Sequence, residues 1–319
     1  MRAVVFSDGQ VQVAQVATPK PGYGQILVEV RAAGLNGADI AQMQGRYNPP
    51  PGAPSVAGLE MAGEVVATGE GCRRFAVGDQ VMAVVQGGGQ AEYCLVDEPL
   101  AMALPQVWAK KATQDELWAC AGGFSEVFAT AHDALFTQAG LAMGERVCIH
   151  GAAGGVGTAA VQLGVAAGAE VTATVRNPAN RRAVGDLGAK AIAPEEFLDA
   201  GPYEVILELV GAPNWPANLR ALTTGGRIMI IGVGAGAEVP VNLALLMVKR
   251  ARLLGSTLRP RSLEQRALVA RALERHVLAL VSKGKVAVPV ARTFALSDAA
   301  EAYEYFVAPG KLGKVVLIP

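Results

Sequence analysis

Cysteine is scarce in this chain. Four occur in 319 residues, Cys72, Cys94, Cys120 and Cys148, and no two form a C-x-x-C pair. A disulfide framework or a cysteine-cluster metal site is therefore not expected, and the four read as reduced structural residues. Histidine is scarcer still: His132, His150 and His276 are scattered and read as surface or satisfied core residues. Net charge is missing too, with 28 Lys and Arg against 28 Asp and Glu. Nothing in that balance attracts a nucleic-acid backbone or an anionic membrane. No apolar run approaches the roughly 20 residues that span a bilayer. Residues 243–248 stop at Lys249-Arg250, and the opening apolar run ends in Ser7-Asp8-Gly9, too short for a signal peptide. The expectation is a soluble, cytoplasmic protein without nucleic-acid or membrane partners.

What is present points to folded cores. Apolar residues make up 51% of the chain and charged ones 18%, against a disordered chain. The length suits two domains. The first third reads as short strands near residues 11–16, 26–30, 64–67 and 91–96. Gly, Pro and Asp separate them, as in a small antiparallel barrel. After about Cys120 the character changes. Residues 126–139 read as a helix, and Arg146-Val147-Cys148-Ile149-His150 as a strand that runs straight into glycines. An Ala-rich helix follows at 156–167, then strands at 170–175, 203–210, 226–232 and 252–257. Strands alternating with helices imply a doubly wound parallel sheet. Residues 262–283 read as one long helix. Residues 314–318 read as a last strand that returns to the first barrel.

The glycine loop is Gly151-Ala152-Ala153-Gly154-Gly155-Val156-Gly157. It approximates G-x-G-x-x-G with Ala152 in the first slot. Its place between a strand and a helix is the context a dinucleotide fingerprint needs. Gly154 lets backbone approach a pyrophosphate, Gly155 and Val156 open the helix with free N–H groups, and Gly157 permits close packing of helix on strand. NAD-specific sheets place an Asp or Glu about 20 residues further on. Here strand 170–175 ends in Arg176-Asn177, with Arg181 and Arg182 just beyond. Cationic forks there suit a 2′-phosphate, so NADPH is the expected cofactor. Glu195, if it pointed into that site, would oppose this. Gly232, Val233 and Gly234 follow a sheet strand at its carboxyl edge, where such sheets bind ligands.

The run Ile149-His150-Gly151-Ala152-Ala153-Gly154-Gly155-Val156-Gly157 resembles the cofactor loop of the zinc-independent quinone oxidoreductase (zeta-crystallin-like) branch of the medium-chain dehydrogenase/reductase family. Ala32-Ala33-Gly34-Leu35-Asn36-Gly37-Ala38-Asp39, Gly58-Leu59-Glu60-Met61-Ala62-Gly63, Phe75-Ala76-Val77-Gly78-Asp79-Gln80-Val81 and Gly310-Lys311-Leu312-Gly313-Lys314-Val315-Val316-Leu317 carry the resemblance in order along the chain. It implies an α/β fold, a Rossmann doubly wound sheet inserted into a GroES-like β-barrel domain. The expected domains are 1–121 with 267–319 for the barrel and 122–266 for the Rossmann part. Zinc-dependent relatives carry Cys where this chain has Asn36 and His where it has Leu59. The resemblance therefore implies no metal.

It also implies NADPH-dependent, zinc-independent reduction of quinones by hydride transfer. Activated C=C bonds in enals or enoyl thioesters, or a non-enzymatic NADPH-binding role, are the alternatives. A quinone is already electron-poor, so hydrogen-bond donors and a proton source can replace a Lewis acid. Asn36 (amide donor or turn residue) and Tyr47 (phenol donor or rim aromatic) match positions that line the substrate site in that family. Thr130 matches a nicotinamide contact, or else bonds its own helix. Leu258 and Arg259 resemble a cofactor-contacting turn. A homodimer joined through the edge strand near 251–257 is the expected assembly.

Overall fold

The protein is described here by a computed structural model covering residues 1–111 and 113–319, the side chains of 109–111 excepted. Its contacts divide it into two compact units. The first comprises Met1–Ala129, Leu258–Ala308 and Lys314–Pro319, and the second Thr130–Thr257 with Pro309–Gly313.

The second unit is built on six parallel strands. Across the sheet they run Lys190–Ile192, Glu170–Thr174, Arg146–Ile149, Tyr203–Glu208, Leu222–Ile230, Arg252–Gly255. In chain order that is 3-2-1-4-5-6, the doubly wound Rossmann arrangement. The central strands have the continuous apolar character of a sheet covered on both faces: Val147, Cys148, Ile149, Val205, Ile206 and Leu207 are all fully buried. At one end of this sheet Arg227 pairs with Glu145 and also donates to the carbonyls of Ala139 and Gly140. The helical reading of 126–139 is only partly met. An α-helix covers Ser125–His132, and Asp133–Gln138 widens into a π-turn whose bonds reach five residues back, as Ala139 N–H to Ala134 O.

In the first unit, Gln25–Gly34 pairs antiparallel with Glu60–Thr68, with Tyr93–Asp97 and, through Ala33 and Gly34, with Lys314–Ile318. Val290–Ala295 adds to that last strand in parallel. The apolar interior gathers Ile26, Val28, Met61, Val65, Val81 and Val96. The single helix read over 262–283 is two, Leu263–His276 and Leu278–Ser282, with Val277 between them at φ −102° and ψ −41°. Ser262 and Gln265 form the capping box that starts the first. Leu273, Val277 and Val281 stay buried through the break, whereas Leu268 is 70% exposed. The broad apolar stripe thus hid a change of axis. Among the described residues, no helix is long and apolar enough to cross a membrane.

Candidate active site

In the second unit the strand Arg146–Ile149 enters the glycine loop, and the helix Gly155–Ala166 leaves it. Gly151 takes φ +65°, where L side chains strain. A Cβ on Gly157 would stand 2.5 Å from Gly151 O and 2.6 Å from Ala152 Cα, so helix and strand meet there in backbone contact. Ala152 is fully buried in that contact. Gly154 is different: it is exposed, and a Cβ there would meet only Gly151 O, at 3.5 Å. The space before it is open, and the helix has no acidic residue in its first turn. An anion there would meet the first-turn N–H groups of that helix and its positive dipole end.

The end of strand Glu170–Thr174 carries the expected cations. Arg176 is exposed, and Arg181 folds back to donate Nε to Val175 O at 3.1 Å. Asn177 caps the helix Pro178–Gly185. Arg182, in that helix's last turn, is exposed, and Glu195 is exposed in the turn Pro194–Glu196. The segment Pro309–Gly313 is stitched to this region. Gly313 N–H donates to Ala153 O at 2.8 Å, and Asn180 Nδ2 donates to Gly310 O and Lys311 O. Gly232 lies so close to Leu209 that a Cβ would sit 2.4 Å from its carbonyl oxygen, while Val233 is 42% exposed and Gly234 faces open space. Thr130 is buried in its helix.

Beneath the carboxyl edge of the sheet runs a buried polar chain. His150 pairs through Nδ1 with Thr174 Oγ1 and through Nε2 with Asn218 Oδ1. Asn218 Nδ2 donates to Glu208, which also accepts from the backbone of Val210 and Gly211. Burial lowers the His150 pKa, so the ring is held neutral.

The first unit gathers Asn36, Asp39, Glu60 and Lys314. The Lys314 ammonium, 2% exposed, donates to Leu35 O at 2.6 Å, Asn36 Oδ1 at 2.7 Å and Glu60 Oε1 at 2.7 Å. All three of its hydrogens are used. Asn36 Nδ2 donates to Glu60 Oε1 at 3.0 Å and, more weakly, to Gly34 O at 3.4 Å. Glu60 Oε2 accepts Glu126 N–H. Asp39 accepts the Asn36 N–H at 2.8 Å, closing the capping box of helix Gly37–Met43, and Gln90 links it to the Tyr303 hydroxyl. Burial pushes its pKa up to about 7, against the opposing pull of the Asn36 N–H and the Lys314 charge.

Tyr47 is half-buried beneath Arg259, whose Cζ lies 5.5 Å from the ring centroid. Burial and the Glu126 charge raise the phenol's pKa, so it is protonated at neutral pH. Arg259 exchanges bonds with Gln86 in both directions: its Nε donates to Gln86 O, and its carbonyl accepts from Gln86 Nε2. Leu258 points into an apolar pocket with Val84, Leu100, Met102 and Ala270. Both side chains therefore pack within the first unit.

Residues 22–140 match the model for the alcohol dehydrogenase GroES-like domain, and residues 155–274 that for zinc-binding dehydrogenase. A quinone oxidoreductase of Rattus norvegicus is 30% identical over 335 residues, covering 100% of this chain and 98% of its own. The chain belongs to the quinone oxidoreductase branch of the medium-chain dehydrogenase/reductase family. An acryloyl-coenzyme A reductase of Metallosphaera sedula is 28% identical over 349 residues, covering 99% of each chain. The crystal structure of the Pseudomonas syringae quinone oxidoreductase superposes with a TM-score of 0.85 at 27% identity, covering 100% of this chain and 99% of the other. This member of the family is thus an oxidoreductase, and the family binds a nicotinamide cofactor.

Set against this oxidoreductase's sequence, Glu60, Lys314, Gln90 and Tyr303 in one unit and Glu208 and Asn218 in the other were missed as site residues. Glu60 and Lys314 both stood in family-like motifs. An ionisable residue at an inward strand position was the available signal.

Proposed function

We propose that this enzyme is a cytoplasmic NADPH-dependent reductase of quinones that works without zinc. The observation that carries the metal-free reading is the Lys314 ammonium, held by Leu35 O, Asn36 Oδ1 and Glu60 Oε1. A cation already saturates that donor set, and Leu59, which stands where zinc-dependent relatives carry His, is buried and has no ligand atom. A catalytic zinc needs three protein ligands with one position open. Among the described residues, no group of three or more His, Cys, Asp or Glu is placed to hold one.

The glycine loop fits a dinucleotide: the open face of Gly154 and the first turn of helix Gly155–Ala166 would take the pyrophosphate. Arg176 and Arg181 sit at the strand end where an acid would select NAD, and they favour NADPH. When bound, NADPH supplies the hydride. The chain's own residues do the rest. Asn36 can offer a substrate oxygen the N–H that now makes only the 3.4 Å bond to Gly34 O, while Lys314 and Glu60 hold the rest of the amide fixed. The protonated Tyr47 phenol supplies a proton. The second unit serves as the dinucleotide-binding domain and the first as the substrate domain. A homodimer would cover the edge strand Arg252–Gly255 and the neighbouring exposed Leu243, Met247 and Val248.

The acryloyl-coenzyme A reductase relative favours a second reading, reduction of an activated C=C bond, which uses the same donor. The deciding experiment is NADPH oxidation across a panel of quinones, enals and enoyl thioesters. Turnover confined to thioesters or enals would replace the quinone reading.

A further inference from the structure

Arg259 carries a charge that the fold leaves incompletely used. Its side chain is 5% exposed. Nε donates to Gln86 O at 2.8 Å, Nη1 reaches Tyr47 O only at 3.5 Å, and Nη2 is buried without a hydrogen-bond partner. It enters none of the ion pairs found among the described residues. Arg266 and Arg271 also bury an unpartnered Nε, but both are only partly buried and each faces a carboxylate, Asp97 and Glu274. The other two fully buried cations among the described residues differ. Lys314 spends every donor, and Arg227 places Nε, Nη1 and Nη2 on carbonyls and on Glu145. A buried guanidinium with an unmade bond is costly, and a native fold that keeps one has a use for it.

The surroundings say what that use is. The guanidinium lies over the Tyr47 ring, beside a phenol that stays protonated. Glu126 and Asp39 are near enough to be felt, yet neither carboxylate bonds it. Its bonded partners, Gln86 and Tyr47, belong to the first unit, whereas the glycine loop and Arg176 belong to the second. A cationic donor beside a protonated phenol suits a substrate oxygen that gains negative charge. The Tyr47 segment has room to yield, since a Cβ on Gly45 or Gly52 would touch nothing.

The geometry points to Arg259 as a catalytic residue of the substrate site, its Nη2 donating to the quinone oxygen that gains negative charge in the reduction. This rests on the quinone reading above. In that step NADPH loses a hydride and leaves as NADP⁺. The quinone takes the hydride with both electrons and becomes the hydroquinone monoanion. One proton, passed from the Tyr47 phenol and restored from solvent, completes the hydroquinone. A preformed cationic donor at the developing oxyanion acts most strongly on kcat.

The test replaces Arg259 and separates substrate from cofactor. Arg259→Ala should lower kcat with a benzoquinone by about 100-fold, the scale of a lost oxyanion donor. Its Kd for NADPH, read by nicotinamide fluorescence, should move less than about twofold, and added guanidinium ion should restore part of the rate. Parent-like kcat, or NADPH affinity falling in step with activity, would overturn the assignment. If the Ala variant does not fold, Arg259→Lys keeps the charge and loses the fork. It should still lose about tenfold in kcat at unchanged Tm, and parent-like turnover there would equally overturn the assignment. Binding of 4-nitrophenolate, followed by its visible absorbance, makes the inference independent of turnover. Binding by the parent and loss in Arg259→Ala support the residue's role even if no quinone is reduced, an outcome that sinks only the quinone reading. Equal binding by both proteins sinks the role of Arg259.

Discussion

Two glycines three residues apart should fail in opposite ways when each gains a methyl group. In Gly157→Ala the new Cβ would stand 2.5 Å from Gly151 O, 2.6 Å from Ala152 Cα and 2.8 Å from Ala152 C. These are backbone atoms of the loop that closes the strand, so no side chain can rotate away. Alanine gains roughly 1 kcal/mol over glycine in a helix interior. Overpacking costs about 1–3 kcal/mol, and a backbone clash lies at the upper end. The net is a destabilisation of about 1–2 kcal/mol, or roughly 2–8 °C in Tm for a domain of this size. In Gly154→Ala the nearest atom is Gly151 O at 3.5 Å, an ordinary contact, and the backbone angles of φ −77° and ψ 170° suit any residue. Losing glycine at this helix N-cap costs under about 1 kcal/mol. The methyl would instead occupy the open space in front of the helix. NADPH affinity should therefore fall at least about tenfold, or 1.4 kcal/mol, with Tm nearly unchanged. Differential scanning calorimetry and fluorescence titration with NADPH read the two effects separately. A stable Gly157→Ala protein, or a Gly154→Ala protein that binds NADPH normally, would refute the reading of this loop.

Lys314→Met should cost about 3–5 kcal/mol in urea unfolding, because it strands the fully buried Glu60 carboxylate; pairing it with Glu60→Gln should recover part of the loss. Asp39 keeps its proton in the folded state to about pH 7, whereas an unfolded aspartate ionises near 3.8. The folded state thus binds more protons across that window, so stability should fall as pH rises through it and level off above. Asp39→Asn keeps the acceptor for Asn36 N–H and should flatten that slope; an unchanged slope in thermal melts would remove Asp39 as its source. Arg176→Ala should cut the NADPH-over-NADH ratio of kcat/KM by about tenfold, and a parent that uses NADH as well as NADPH would defeat the cofactor proposal outright. Light scattering at micromolar concentration should give a dimer mass, and a monomer would refute the edge-strand pairing.

The parts of this protein that follow from local pattern were legible in its sequence. The strand Arg146–Ile149, the glycines after it and the helix that opens at Gly155 are contiguous, so their geometry is written in about a dozen residues. The alternation of strands and helices that follows gave the parallel sheet for the same reason. What escaped depends on distant residues. Lys314 stands first in an apolar strand, where a lysine reads as a solvated end, and its carboxylate partner lies 254 residues away. Asn36 was legible as a polar residue in a turn, but not the fact that Lys314 and Glu60 use most of its amide. Arg259 was legible as part of a turn after the last Rossmann strand, but the direction of its side chain depends on Gln86 and Tyr47. The break at Val277 escaped because apolar residues stay buried on both sides of it, and periodicity cannot register a turn that preserves burial.

Gly313 and Lys314 are neighbours in the chain and finish different structures. The first donates its N–H to the glycine loop at Ala153, and the second closes the polar cluster around Asn36. Both follow every strand of the Rossmann sheet and all but the last strand of the first unit. A ribosome making this protein therefore assembles nearly all of two domains before either candidate site has its last hydrogen bond. Chains released early would carry a near-complete Rossmann sheet with an unbraced cofactor loop, and a buried Glu60 with no cation opposite it. Such products should be marked for degradation by instability rather than persist as partly active reductases. A late nonsense mutation in this coding sequence should therefore behave as a complete loss.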